Sequence, residues 1–278
     1  MTVPADTGAL PIVTAVRNHA DIPAAPRIVV KVGSSSVTGD HVAQIDSLVD
    51  ALVAAREGGA EVILVSSGAI ATAIPYLGLD VRLRDAGDLA TQQAAAAVGQ
   101  NVLMWRYQTS LDRYRVVAGQ VLLTAGDLEL PATRANARRA MERLLGLGVL
   151  PIVNENDTVA TQEIRFGDND RLAALVAVLV GADVLILLSD VDALYTRPPS
   201  EPGAERIDRV AHDDDLPGIT FGGIGSAGVG TGGAGTKVAA AKYANSFGVP
   251  TLLADTAKVA DALAGKVLGT WFDAAPQG

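Results

Sequence analysis

Cysteine is absent from all 278 residues, which removes a disulfide frame, a thiolate nucleophile and any cysteine-ligated zinc site from consideration. Histidine is nearly absent too. His19, His41 and His212 stand apart from every polar cluster described below, so no imidazole is placed to act as a general base. Aromatic residues make up 4% of a chain that is 49% hydrophobic, and the expected core is therefore one of Val, Leu, Ile and Ala. Positive charge is in deficit: 22 Lys and Arg stand against 31 Asp and Glu, a net charge of −9. That leaves no general basic face and argues against nucleic acid as a partner. Long apolar runs are missing as well. The longest, 172–188, is broken by Gly181, Ala182 and Asp183. Each half is too short to cross a bilayer, so no membrane partner is expected. Residues 1–25 lack a basic leader segment and carry Asp6, Asp21 and several prolines. They read as a flexible N-terminal extension of a cytoplasmic protein.

What is present is alternation. Short apolar runs suited to buried parallel strands recur at 27–32, 61–65, 116–123, 149–153, 184–188 and 250–253. Helix-like stretches lie between them at 42–56, 89–114, 132–147, 171–180 and 237–247. This order predicts an α/β fold, a three-layer α/β/α sandwich with a mostly parallel central sheet.

Polar residues gather where the strands end. Lys31-Val32-Gly33-Ser34 follows the first strand, Ser66-Ser67-Gly68 the second, Asn154-Glu155-Asn156-Asp157 a later one and Ser189-Asp190 the next, while Gly167-Asp168-Asn169-Asp170 opens a helix. Turn and cap chemistry accounts for any one of these, since Asn, Asp and Ser are habitual in both. Four strand ends converging on one pattern favour a ligand site at the carboxyl edge of the sheet. The polar segment 158–166 between the two Asn/Asp groups suits a hairpin flap over that site.

The glycine-rich segment 222–235 invites a nucleotide. It is not a Walker A loop, because Val238 follows Lys237 where Ser or Thr is required. The dinucleotide spacing at Gly230, Gly232 and Gly235 lacks the buried strand that must precede it. A mobile loop of backbone N–H groups, leading into a helix that begins at Thr236-Lys237, suits phosphate better. Lys31, set at the end of an apolar strand, needs an anionic partner if it is buried.

The segments around Lys31, Ser67, Asn154 to Asp157, Gly167 to Asp170, Ser189-Asp190 and 230–237 resemble the amino acid kinase family over 27–272, most nearly its members that phosphorylate glutamate. The resemblance implies one kinase domain over 26–274 with no C-terminal PUA domain. It implies ATP-dependent phosphorylation of the γ-carboxylate of L-glutamate, the first step of proline biosynthesis, with ATP and Mg²⁺ as cofactors. A homo-oligomer and a reductase that accepts γ-glutamyl phosphate are the further expectations. By the same resemblance Lys31, Asp170 and Lys237 are catalytic, and Ser67, Asp157 and Asn169 bind glutamate. Lys31, Ser189, Asp190, Thr231, Gly232, Gly233, Ala234, Gly235, Thr236 and Lys237 bind ATP, with no protein ligand to the metal. The chemistry suits the scarcity of histidine: a carboxylate of pKa about 4.3 is already ionised at neutral pH and requires no general base. Ala73, Ala193, Pro198-Pro199-Ser200 and Ala234-Gly235 depart from the common family pattern. Two other readings stay open, a kinase with a different acceptor (another amino acid, a carbamate or a nucleoside monophosphate) and a catalytically weak amino-acid sensor. The intact set of Lys31, Asp170 and Lys237 argues against the sensor.

Overall fold

The computed structural model describes residues 16–79, 88–159, 169–216, 219 and 233–276. Strands β1 (Arg27–Lys31), β2 (Glu61–Val65), β4 (Leu150–Glu155), β5 (Val184–Ser189) and β9 (Thr251–Asp255) are almost wholly buried. Their unbroken apolar character is that of parallel strands covered on both faces. β3 (Ala118–Leu123), with Gly119 and Gln120, is only half-buried and takes an edge. With β8 (Arg209–Val210) and β10 (Thr270–Phe272), the eight-stranded sheet runs β3-β4-β2-β1-β5-β9-β10-β8. Pairing is parallel throughout except between β9 and β10. β6 (Leu194–Tyr195) and β7 (Arg206–Ile207) make a separate antiparallel ribbon.

Side chains alternate across the sheet, and the two faces build two core clusters. Ile28, Val30, Leu64 and Ile186 pack under α1 (Gln44–Glu57), α3 (Leu89–Asp112) and α8 (Val259–Leu263). Val29, Ile63, Leu185 and Leu187 pack under α5 (Pro131–Gly146), α6 (Asn169–Val180) and α7 (Ala234–Ser246). The expected three layers are therefore present. Helix starts follow local chemistry: Asp88 caps α3 by accepting the Thr91 N–H at 2.9 Å, and Pro131 occupies the first turn of α5, where its missing N–H costs nothing.

Two elements differ from the sequence expectation. α2 (Ala69–Leu77) was not among the expected helices; it is short, and Pro75 lies inside it, where a proline argues against a helix. It is fixed by α3 instead: Gly99 lies so close that a Cβ there would collide with the Ala69 carbonyl. The flexible extension expected over 1–25 does not reach residue 25. Asn18 caps a 3₁₀ turn (His19–Ala24), Val16 and Ile22 join the core, and the His19 ring lies 5.2 Å from that of Trp271. Residues 1–15 lie outside the described residues, as do 160–166 of the expected flap and 222–232 of the glycine-rich segment. Among the described residues no helix is long and apolar enough to cross a membrane.

Candidate active site

β4, β2, β1 and β5 are adjacent and parallel, so their final residues share one edge of the sheet. These are Asn154-Glu155, the Ser66-Ser67 turn that follows β2, Lys31 and Ser189. The chain passes to one side of β1 through β2 and to the other through β5, and such a switch opens a crevice beyond the strand ends. The first turns of α6 and α7 enter the same crevice, as their side-chain contacts show.

One half of the site is built on charge. The Asp170 carboxylate meets the Lys31 ammonium at 2.5 Å on Oδ1 and the Lys237 ammonium at 3.3 Å on Oδ2. The Thr236 hydroxyl lies 2.8 Å from the same Oδ2. All three charged groups are buried, at 3%, 1% and 6% exposure for Lys31, Asp170 and Lys237. Burial alone would raise the pKa of Asp170, but the two ammonium groups outweigh it and hold the carboxyl well below the usual range. Burial and the like charge of Lys31 push Lys237 downward, while Asp170 and Asp190 oppose the shift. Two ammonium groups brought to one buried place suit an incoming anion, since charge is strongly felt where water is excluded. Gly233 holds the N-cap position of α7 and has no side chain to cap it, so that helix end suits an anion as well. Ser189 is buried and donates to Asp190 at 3.2 Å. Ala234 and Gly235 open α7, whereas Thr231 and Gly232 lie outside the described residues.

The other half is built on amides. Asn169 Nδ2 donates to Ser67 Oγ at 3.0 Å and to Asn154 Oδ1 at 3.1 Å. Asn154 Oδ1 also accepts the Glu155 N–H at 2.9 Å. Three buried atoms, Asn154 Nδ2, Asn169 Oδ1 and Asp157 Oδ1, have no hydrogen-bond partner among the described residues. Buried polar atoms are nearly always paired, so one donor and two acceptors left open describe a ligand that carries both polarities. Burial pushes the Asp157 carboxyl up to about 7, and among the described residues no cation stands beside it as Lys31 and Lys237 stand beside Asp170. Asn154 was given no role from the sequence, where it reads as part of a turn. Its signal is register, since it is a buried residue of β4 whose amide points to Asn169.

The two halves are held together by close contact. Gly68 adopts φ +97°, and a Cβ there would lie 2.9 Å from Thr38 Cγ2 and 3.4 Å from Ser34 Cα. Only glycine lets the turn after β2 nest against the turn after β1.

The profile of the amino acid kinase family matches residues 26–255. The glutamate 5-kinase of Clavibacter sepedonicus is 68% identical over 92% of this chain and 97% of its own length. That of Leifsonia xyli subsp. xyli is 64% identical over 92% and 93%. The glutamate 5-kinase of Streptomyces coelicolor is 56% identical over 90% of this chain and 67% of its own. Among solved structures, a carbamate kinase from Giardia lamblia bound to AMP-PNP superimposes with a TM-score of 0.63 at 15% identity, covering 91% of this chain and 100% of that one. At that identity the likeness concerns the fold.

Proposed function

Because this chain belongs to the amino acid kinase family, and within it to the glutamate 5-kinases, we propose that it transfers the γ-phosphoryl group of ATP to the γ-carboxylate of L-glutamate. The product is γ-glutamyl phosphate, the first intermediate of proline biosynthesis. The observation that carries this reading at the level of residues is the pairing of an open, cation-seeking Asp157 with a closed, doubly paired Asp170. The substrate ammonium binds Asp157. Ser67, Asn154 and Asn169 supply the neutral donors and acceptors around it. The γ-carboxylate, already ionised, faces the phosphoryl group, and its oxygen forms the new bond to the γ-phosphorus as the bond to the leaving ADP oxygen breaks. The obstacle is the approach of one anion to another. Lys31 and Lys237 neutralise the transferring group, and Asp170 holds both ammonium groups in place before the reaction, so little reorganisation is needed.

ATP is held by Ser189, Asp190 and the segment from Thr231 to Lys237, its phosphates against the first turn of α7. Among the described residues no three His, Asp or Glu side chains come together as a metal site, and Asp170 is committed to two lysines. A Mg²⁺ would be held by nucleotide phosphates and water and would supply charge neutralisation there. The acyl phosphate product hydrolyses readily, so a cytoplasmic reductase that accepts it is the natural consumer.

Hydroxylamine trapping tests the reading. The protein is incubated with ATP, Mg²⁺ and hydroxylamine, with glutamate, aspartate or another acceptor. Hydroxamate formed selectively with glutamate is expected; ADP release with another acceptor alone would sink it.

A further inference from the structure

Thr256 lies one residue beyond the register partner of Ser189, since β5 and β9 pair Ser189 with Asp255. It opens a 3₁₀ turn (Thr256–Lys258) and is 5% exposed. Its hydroxyl is 3.0 Å from the Ser189 carbonyl oxygen and 2.8 Å from Ser36 Oγ. Ser36 is itself buried and ends the 3₁₀ turn (Ser34–Ser36) that follows Lys31. The direction of this relay follows from the chemistry. A carbonyl only accepts, so the Thr256 proton goes to Ser189, and the Ser36 proton therefore goes to Thr256. One buried hydroxyl thus ties the end of β5 to the turn after β1.

We infer that Thr256 is a positioning residue for the nucleotide, holding the Ser189-Asp190 peptide and the turn after Lys31 in one fixed relation. The inference rests on Ser189 and Asp190 contacting ATP, as proposed above. Without the hydroxyl, the buried Ser189 carbonyl loses its side-chain donor and the peptide that carries Asp190 is free to rotate. The acceptor residues Ser67, Asn154, Asp157 and Asn169 make no hydrogen bond to the relay. Their link to the turn after β1 is the Gly68 contact, which Thr256→Val leaves in place, so the larger effect falls on ATP.

Thr256→Val preserves shape and removes the hydroxyl, and Thr256→Ser keeps it. In Thr256→Val the KM for ATP and the Kd for AMP-PNP, measured by calorimetry, should rise about 3–10-fold, the value of one hydrogen bond. The KM for glutamate should stay within about twofold, and Thr256→Ser should restore the ATP constants to within about twofold, both changes being smaller than the loss of one such bond. Unchanged ATP constants in Thr256→Val overturn the inference. So do equal shifts for both substrates that Thr256→Ser fails to correct, which is the mark of a merely structural residue. If Thr256→Val does not fold, Ser36→Ala decides: a rise confined to ATP supports the relay, and none refutes it. Failure of the underlying reading looks different, for then the parent protein itself would not bind AMP-PNP.

Discussion

Asp157 and Asp170 are the same side chain, both buried at one edge of one sheet, yet the fold drives their carboxyl groups in opposite directions. Asp170 sits between Lys31 and Lys237 and is held ionised. Asp157 has an oxygen with no partner among the described residues and is pushed up to about 7. Burial is common to both, so the difference lies in what each carboxylate faces. The half of the site around Asp170 carries its own counter-charges before any ligand arrives. Under the proposed function the half around Asp157 is the acceptor pocket, which the substrate ammonium would complete.

The comparison is broken most severely at Asp170. Asp170→Asn leaves two ammonium groups buried against a neutral amide. Removing one partner of a buried ion network is expected to cost about 3–5 kcal/mol of stability, read from denaturant unfolding, together with nearly all turnover. Equal stability to the parent would mean that the lysines do not depend on Asp170. Lys237→Ala is the milder cut, for it leaves the Lys31–Asp170 pair whole. Turnover should fall about 10²–10³-fold with little change in the unfolding midpoint.

Asp157→Asn should act on binding instead of folding. Loss of the charged partner of the substrate ammonium should raise the glutamate KM about 10–100-fold, the value of a charged hydrogen bond, with the ATP KM little changed. Its stability effect should be opposite in sign to that of Asp170→Asn. The folded-state pKa of Asp157 is raised above the unfolded value of about 3.9. Its contribution is therefore fully present below pH ~4 and is lost as pH rises to about 7, a few kcal/mol at most. Above that window the asparagine variant should be as stable as the parent or more so. Asp170 is shifted the other way; its contribution is present above pH ~4 and is lost on further acidification. A parent and variant with parallel stability–pH curves between pH 4 and 7 would contradict the assignment.

Ligand binding gives a finer reading of the same group. An ammonium placed at Asp157 lowers its pKa, so glutamate should displace a proton near pH 7, seen by calorimetry in buffers of different ionisation enthalpy. The glutamate KM should rise as pH falls below that point, and Asp157→Asn should abolish the dependence. The smallest effect belongs to Ser67→Ala. Asn169 keeps its bond to Asn154, so the glutamate KM should rise only about 2–10-fold, one hydrogen bond's worth.

Much of this was legible in the sequence, for identifiable reasons. β1, β2, β4, β5 and β9 are buried on both faces, and that makes unbroken apolar runs. Lys31 stood out because a charge inside such a run demands an explanation. α2 was illegible because it is short, holds Pro75 inside it and owes its place to Gly99, far away in sequence. β8 and β10 span too few residues to show a period. Thr256 was missed because a lone hydroxyl at a strand end looks like turn chemistry; Asn154 stood in a polar group that the sequence marked as a site, but its own contact became visible only with the partner brought by tertiary folding.

The nesting of the turns at Gly68 has one more consequence. Ser67 lies beside Asn169, while Ser34 and Thr38 belong to the turn that follows Lys31, and Gly68 lets the two turns approach with no room for a Cβ between them. The spacing between the amide half and the lysine half is thereby set by turn against turn. If the proposed function holds, a substrate anchored at Asp157 would present its far carboxylate to the lysines only with the right number of methylene groups, and that spacing would act as a length gauge.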